Sequence, residues 1–413
     1  MKIVFALILM FSAKLLFADI ASQKAWTIHN RIAGVPPNPS TDVLARMTRA
    51  IQQSPGEVGL ENAAKIAMEN PYFYDLVLKN WVKPWSNAEK SNRVPLNDYV
   101  TTIVGAIRDS DIPGKPFSRI LYDDFVYVGP ATGNEDNNFS RKTNNHYDAL
   151  ESSNVSLSNR AQVIERKQSE AINTETVNNQ DLLDVSNMLV GGVNGAAGVL
   201  TSRASGDAYF DMGTNRRVTR FALINFMCND YEDIHDTSLP NTRIRKDVER
   251  TPGGDSRTFL TKCIGCHSGQ DGLGGAFAYY DYNNETNALE FTPGQVASKM
   301  THLPAYSNGY QTVDDSWINY WGEFSVHNKK LGFKPPFKGR GIASLGRSIS
   351  ESRGFSLCMA KKVFKLMCVR PPLTEDDGFI TKMADSLESG NQYNMKKVFS
   401  STVAYCVEDK YEI

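Results

Sequence analysis

The sequence predicts a mainly α, multi-module helical protein. Apolar residues recur at three-four spacing through most of the 413-residue chain, strand signals are sparse, and the length exceeds what one hydrophobic core usually organises. Thr41 or Asp42 caps a first helix with Val43, Leu44, Met47 and Ile51 on one face. Pro71 fits the first turn of a helix carrying Phe73, Leu76, Val77 and Trp81, and the pattern resumes from Leu96 to Ile107. Ile120 to Val128 reads either as a helix end or as an extended piece closed by Gly129-Pro130. Residues 131–180 are rich in Asn, Ser, Glu and Lys, so they read as an exposed polar insertion or linker in which His146 is solvated. An apolar helix interrupted by glycines is expected over Leu182 to Leu200, and another from Thr214 to Cys228. Near the C-terminus, Thr374 and Asp377 form a capping box before Phe379, Ile380, Met383 and Leu387, and Val398, Val403 and Cys406 lie on a last helix.

The most specific feature is Cys263-Ile264-Gly265-Cys266-His267, a C-x-x-C-H run. This pattern attaches a haem covalently: two thioethers form to the porphyrin and the adjacent imidazole ligates the iron. Given six Cys and six His in the chain, random placement yields roughly 0.001 such runs, so coincidence is a poor explanation. A zinc site needs two more ligands nearby, and the next cysteines are Cys228 and Cys358. A thioredoxin-like dithiol should follow a strand, and no strand pattern precedes residue 263. The fold expectation is therefore a helical protein with a cytochrome c-like haem-binding segment, holding one haem c on Cys263 and Cys266 with His267 as the proximal iron ligand. Thr258 to Cys263 supplies a short helix before the motif. Gly269, Gly272, Gly274 and Gly275 read as positions where backbone approaches the porphyrin, and Phe277, Tyr279, Tyr280 and Tyr282 as its wall or as ordinary core.

Residues 1–18 have the form of a signal peptide: Lys2, an apolar run from Ile3 to Ala13, and a small residue, Ala18, before Asp19. Lys14 interrupts that run, so a retained anchor is the alternative. No later segment reaches membrane-spanning length. Export to the periplasm agrees with haem attachment, which takes place outside the cytoplasm. Cys228, Cys358, Cys368 and Cys406 remain as an even set for an oxidising compartment. If Phe355 to Cys368 is one helix, Cys358 and Cys368 are about 15 Å apart and cannot bond. Two pairings stay open, Cys228–Cys358 with Cys368–Cys406 or Cys228–Cys368 with Cys358–Cys406, beside four free thiols.

Several stretches also carry a resemblance. Gly198-Val199-Leu200-Thr201, Asn215-Arg216-Arg217, Phe226-Met227-Cys228, the haem motif with Asp271-Gly272-Leu273-Gly274, and Phe355-Ser356-Leu357-Cys358-Met359 before Pro371-Pro372-Leu373-Thr374 together resemble the large planctomycete-type c-type cytochromes. The similarity covers roughly residues 195 to 413. It implies an exported, mostly helical haem protein and organises the chain as a signal peptide (1–18), an N-terminal helical module (19–130), a polar insertion (131–180), a haem c module (181–290) and a C-terminal helical module (291–413). Arg257 and Gly272 stand where many relatives carry His and Pro, so the resemblance transfers no distal ligand.

The sixth ligand decides between electron carrier and open-faced catalyst. Met300 and His235 are the leading distal candidates, followed by His302 and His327, and an open or water-bound face is the alternative. Met367 follows the apolar pattern and reads as core. Arg216, Arg217 and Arg220 open a helix where their charge opposes the dipole, so compensating anions are expected, haem propionates among them. Asp230, Glu232, Asp233 and Asp236 lack the spacing of a calcium loop and read as a solvated acidic surface. Trp317, Tyr320 and Trp321 read as core rather than as an electron relay. A formal net charge of −1 gives no global field for nucleic acid. The expected function is electron transfer to an unidentified redox partner protein, with a haem enzyme or an interaction protein holding structural haem as alternatives.

Overall fold

A computed structural model describes residues 20–54, 56–130, 137–169, 195–301, 306, 308–389 and 393–408. The expected signal peptide, His302 and most of the Leu182 to Leu200 segment lie outside the described residues. The protein is mainly helical. Helix α1 covers residues 20–33, followed by α2 (Val43–Gln53), α3 (Glu57–Ala67) and a π-helical turn, Phe73–Leu78, that continues to Val82. Asn97 caps α4 (Asp98–Arg108), its side chain accepting from Val100 N at 3.0 Å. Next come α5 (Asn145–Ser152) and α6 (Arg216–Met227); α7 (Ile264–Gly274) carries the second half of the C-x-x-C-H run. The C-terminal layer is α8 (Gly341–Ser350), α9 (Arg353–Cys368), α10 (Asp377–Glu388) and α11 (Met395–Glu408). Among the described residues no helix is long and apolar enough to cross a membrane.

Three antiparallel two-stranded ribbons pin the joints: β1 (Val126–Val128) with β2 (Ile164–Arg166), β3 (Tyr280–Asn283) with β4 (Ala288–Phe291), and β5 (Ser316–Ile318) with β6 (Lys338–Arg340). Ile120 to Val128 satisfies both readings in turn, a 3-10 turn over Phe117–Leu121 and then β1.

The N- and C-terminal segments are not separate bodies, because one contiguous cluster of buried apolar residues runs from Ala21 to Val407. Helix α11 packs on α3: Lys397 Nζ lies 2.5 Å from Glu61 Oε2, and Phe399 meets Phe73 and Trp81 edge-on. The described part of the polar insertion is also built in. In α5, His146, Tyr147 and Leu150 are buried, and β2 pairs with β1. His146 is 2 % exposed, not solvated as the sequence suggested, because both ring nitrogens are satisfied: Nδ1 lies 2.8 Å from Asn137 O and Nε2 accepts from Gly129 N at 3.1 Å. At the last turn the capping carboxylate is Asp376, not Asp377. It accepts from the Leu373 amide at 2.7 Å and is held by Arg370 at 2.6 Å and Tyr405 at 3.0 Å.

The four remaining cysteines pair as Cys228–Cys358 and Cys368–Cys406, the first of the two alternatives. Cys358 and Cys368 share α9, so each reaches a different partner: one ties α9 to the end of α6, the other ties it to α11.

Candidate haem attachment site

Asp255 caps the lead-in turn through Arg257 N at 2.9 Å, and a π-helical turn, Phe259–Cys263, runs directly into α7. Cys263, Cys266, His267 and Gln270 stand at i, i+3, i+4 and i+7, which places them on one helix face. Cys263, Cys266 and His267 are partly exposed, while Gly265, Ser268 and Gly269 are buried. Both motif thiols are free, in contrast to the other four cysteines. Burial pushes the Cys266 thiol up, and Glu232 and Asp230 add to it.

The opposite face of α7 is a glycine stripe, and its role differs from the expected one. A methyl group added at Gly265 would overlap His235, one at Gly269 would overlap the Trp321 indole, and those at Gly272 and Gly275 would overlap the carbonyls of Ile318 and Ser316. These glycines let the protein, not a porphyrin, lie close against the helix. Trp321 is fully buried there, donates Nε1–H to Ile234 O at 2.9 Å and stacks on Tyr231 with ring centroids 5.6 Å apart. Phe277 and Tyr280 pack on Phe210 in the core beyond the helix.

Under the imidazole lies a buried charge network absent from the sequence reading. His267 Nδ1 is 3.1 Å from the Gln270 side-chain amide and 3.5 Å from Asp271 Oδ2. Asp271 is 3 % exposed and accepts from Arg216 Nε at 2.6 Å, Arg216 Nη2 at 2.9 Å and the Arg245 backbone amide at 3.0 Å. The same Arg216 fork reaches Asp247 at 2.5 and 2.7 Å, and Arg245 donates to Thr214 O at 2.8 Å. Burial alone raises the Asp271 pKa. Arg245, Arg216 and the His267 contact outweigh it and hold this carboxyl far below the usual range. Two arginines meet two aspartates, so the network is neutral. The anions facing the α6 arginines are therefore protein carboxylates: Asp271 and Asp247 for Arg216, and Asp230 for Arg220 at 2.7 Å. Propionates are not needed for that role. Asp271 was legible in principle, since an acid at i+4 from the motif histidine is on reach of its ring.

The distal candidates do not join the Cys263–Cys266–His267 face. His235 packs behind α7 against Gly265, with Nε2 3.2 Å from Lys262 O. The Met300 sulfur lies 3.9 Å from the Asn215 amide, which also donates to Phe277 O and Tyr280 O at 2.9 Å each. Phe277 is ten residues past His267 along a continuous helical path, about 15 Å. Met300 therefore sits at the far end of the motif helix. His327 bonds the His235 carbonyl at 3.3 Å. The acidic run serves the chain itself: Asp230 and Asp233 cap a turn, and Asp236 accepts from Ser238 and Ser325.

The donor set fits a covalently attached haem. Two free thiols and an imidazole share a partly exposed face backed by packed core. The imidazole has Nδ1 engaged by the chain, and Nε2 makes no hydrogen bond among the described residues, which leaves it for iron. A closed zinc site lacks its ligands, since no group of three or more His, Cys, Asp and Glu gathers among the described residues. No protein-family model matches the chain, and no curated protein or solved structure matches it.

Proposed function

We propose that the protein is an exported single-haem c-type cytochrome that transfers electrons, with Cys263 and Cys266 as the thioether residues and His267 as the proximal ligand. The carrying observation is the free Cys263–Cys266 pair beside His267, in a chain whose other four cysteines are disulfide-bonded. Those disulfides agree with an oxidising compartment. Bound there, haem supplies one-electron redox chemistry. The chain's contribution is positional. The glycine stripe seats α7 on Trp321 and β5, and Asp271, facing the His267 Nδ1 at 3.5 Å, orients the ring with its proton on Nδ1 while Arg216 and Arg245 hold Asp271 ionised.

That carboxylate also favours a second reading. A histidine ligand backed by a carboxylate is more basic, a property suited to catalysis at an open haem face. Expression in a host that matures c-type cytochromes, followed by spectra with and without carbon monoxide, separates the two. A low-spin reduced spectrum unchanged by carbon monoxide is expected for the electron carrier. A high-spin form that binds carbon monoxide selects the enzyme, and a colourless protein removes both.

A further inference from the structure

A cavity of about 590 Å³ lies between the N-terminal helices and α11, lined by Lys65, Tyr74, Arg108, Arg160, Lys396 and Lys397 among others. That volume is in the range of small-molecule sites. Its ion pairs do not balance. Arg108 and Arg160 share Asp109, Arg160 and Lys396 share Asp111, Lys397 is held by Glu61, and Arg46 is held by Glu69. Among the described residues Lys65 reaches only the Asn62 side chain, at 3.3 Å. Six cations thus meet four carboxylates in ion pairs, and Asp75 brings the nearby acids to five. Asp75, the other acid nearby, gives its oxygens to Ser156 Oγ and the Leu157 amide.

The second observation is Tyr74. Its side chain is 6 % exposed and lines the cavity, and its hydroxyl has no hydrogen-bond partner among the described residues. The hydroxyl is not sealed from solvent, so it stands at the cavity wall as a free donor that a bound anion takes up in place of water. We propose that this cavity binds a small anion, a dicarboxylate or a phosphate, with the Tyr74 hydroxyl donating to it, Lys65 supplying the unmatched positive charge and Arg160 and Lys396 at its rim. No residue of the motif helix α7 lines this cavity.

Calorimetric titration of the purified full chain with succinate and with inorganic phosphate, each against chloride at equal ionic strength, tests it. Saturable binding of either probe is expected. Preference between the two names the anion class. Tyr74→Phe, which keeps the ring packing, weakens binding about tenfold, as loss of a hydrogen bond to a charged group does. Lys396→Gln weakens it as well, while Lys382→Gln, whose partner is Glu57 outside the cavity, leaves it unchanged. Heats that chloride reproduces, or full affinity retained in both Tyr74→Phe and Lys396→Gln, overturn the proposal.

Discussion

Removing the Asp271 carboxylate strands one buried arginine. Arg216 keeps Asp247, but Arg245 keeps only Thr214 and a field from Asp247. A buried charge left without its partner costs about 3–5 kcal/mol, so Asp271→Asn lowers unfolding stability by that order in denaturant titration. The same substitution makes the His267 ligand less basic, so the midpoint potential of the haem form rises. The motif residues were legible because their chemistry dictates type, order and spacing within five positions. For Asp271 the i+4 spacing shows only its reach to the His267 ring; its buried, ionised state depends on Arg216 and Arg245 arriving from 55 and 26 residues away in sequence. His146 was misread for a related reason. A polar neighbourhood in sequence says nothing about Asn137 and Gly129 converging on both of its ring nitrogens.

At the scale of elements, α7 is defined by what it lacks on one side. Gly269→Ala forces a methyl into the Trp321 indole, which is fully buried and fixed by Ile234 O and Tyr231. Overpacking of this kind costs about 1–3 kcal/mol, measurable as a lowered denaturation midpoint with an unchanged m-value. The disulfides tie elements in the same region. In the loop-closure model, Cys228–Cys358, 130 residues apart, contributes about 5 kcal/mol, and Cys368–Cys406, 38 apart, about 4 kcal/mol. Cys228→Ser with Cys358→Ser therefore lowers the melting temperature at least as much as the corresponding pair at 368 and 406. Helices with a clear apolar stripe, such as Val43–Gln53 and Asp377–Glu388, were readable from spacing. The glycine contacts were not, since Gly269, Gly272 and Gly275 serve a porphyrin or the protein's own Trp321 and β5 backbone equally well until the partner is known.

For the whole molecule, one apolar core is shared across segments that the sequence divides. Phe399 on α11 meets Phe73 and Trp81, more than 300 residues earlier, and such pairings leave no local signal in composition. Two buried histidines give that core a pH dependence. His29 and His146 are both pushed below the usual imidazole value, first by burial. The unfolded chain then binds more protons just below pH 6.5, so stability is fully present above that value and falls as pH drops through the window toward the folded pKa values. Chemical denaturation at steps from pH 7 to pH 5 checks this, and a flat profile contradicts it.

The covalent cofactor is tested most directly by intact mass under denaturing conditions, on protein exported from a cell that matures c-type cytochromes. A haem bound through both thioethers gives a polypeptide heavier by one haem, with no alkylatable thiol at Cys263 or Cys266 and loss of the added mass in Cys263→Ser with Cys266→Ser. A mass equal to that of the bare chain, with both thiols open to alkylation, contradicts it.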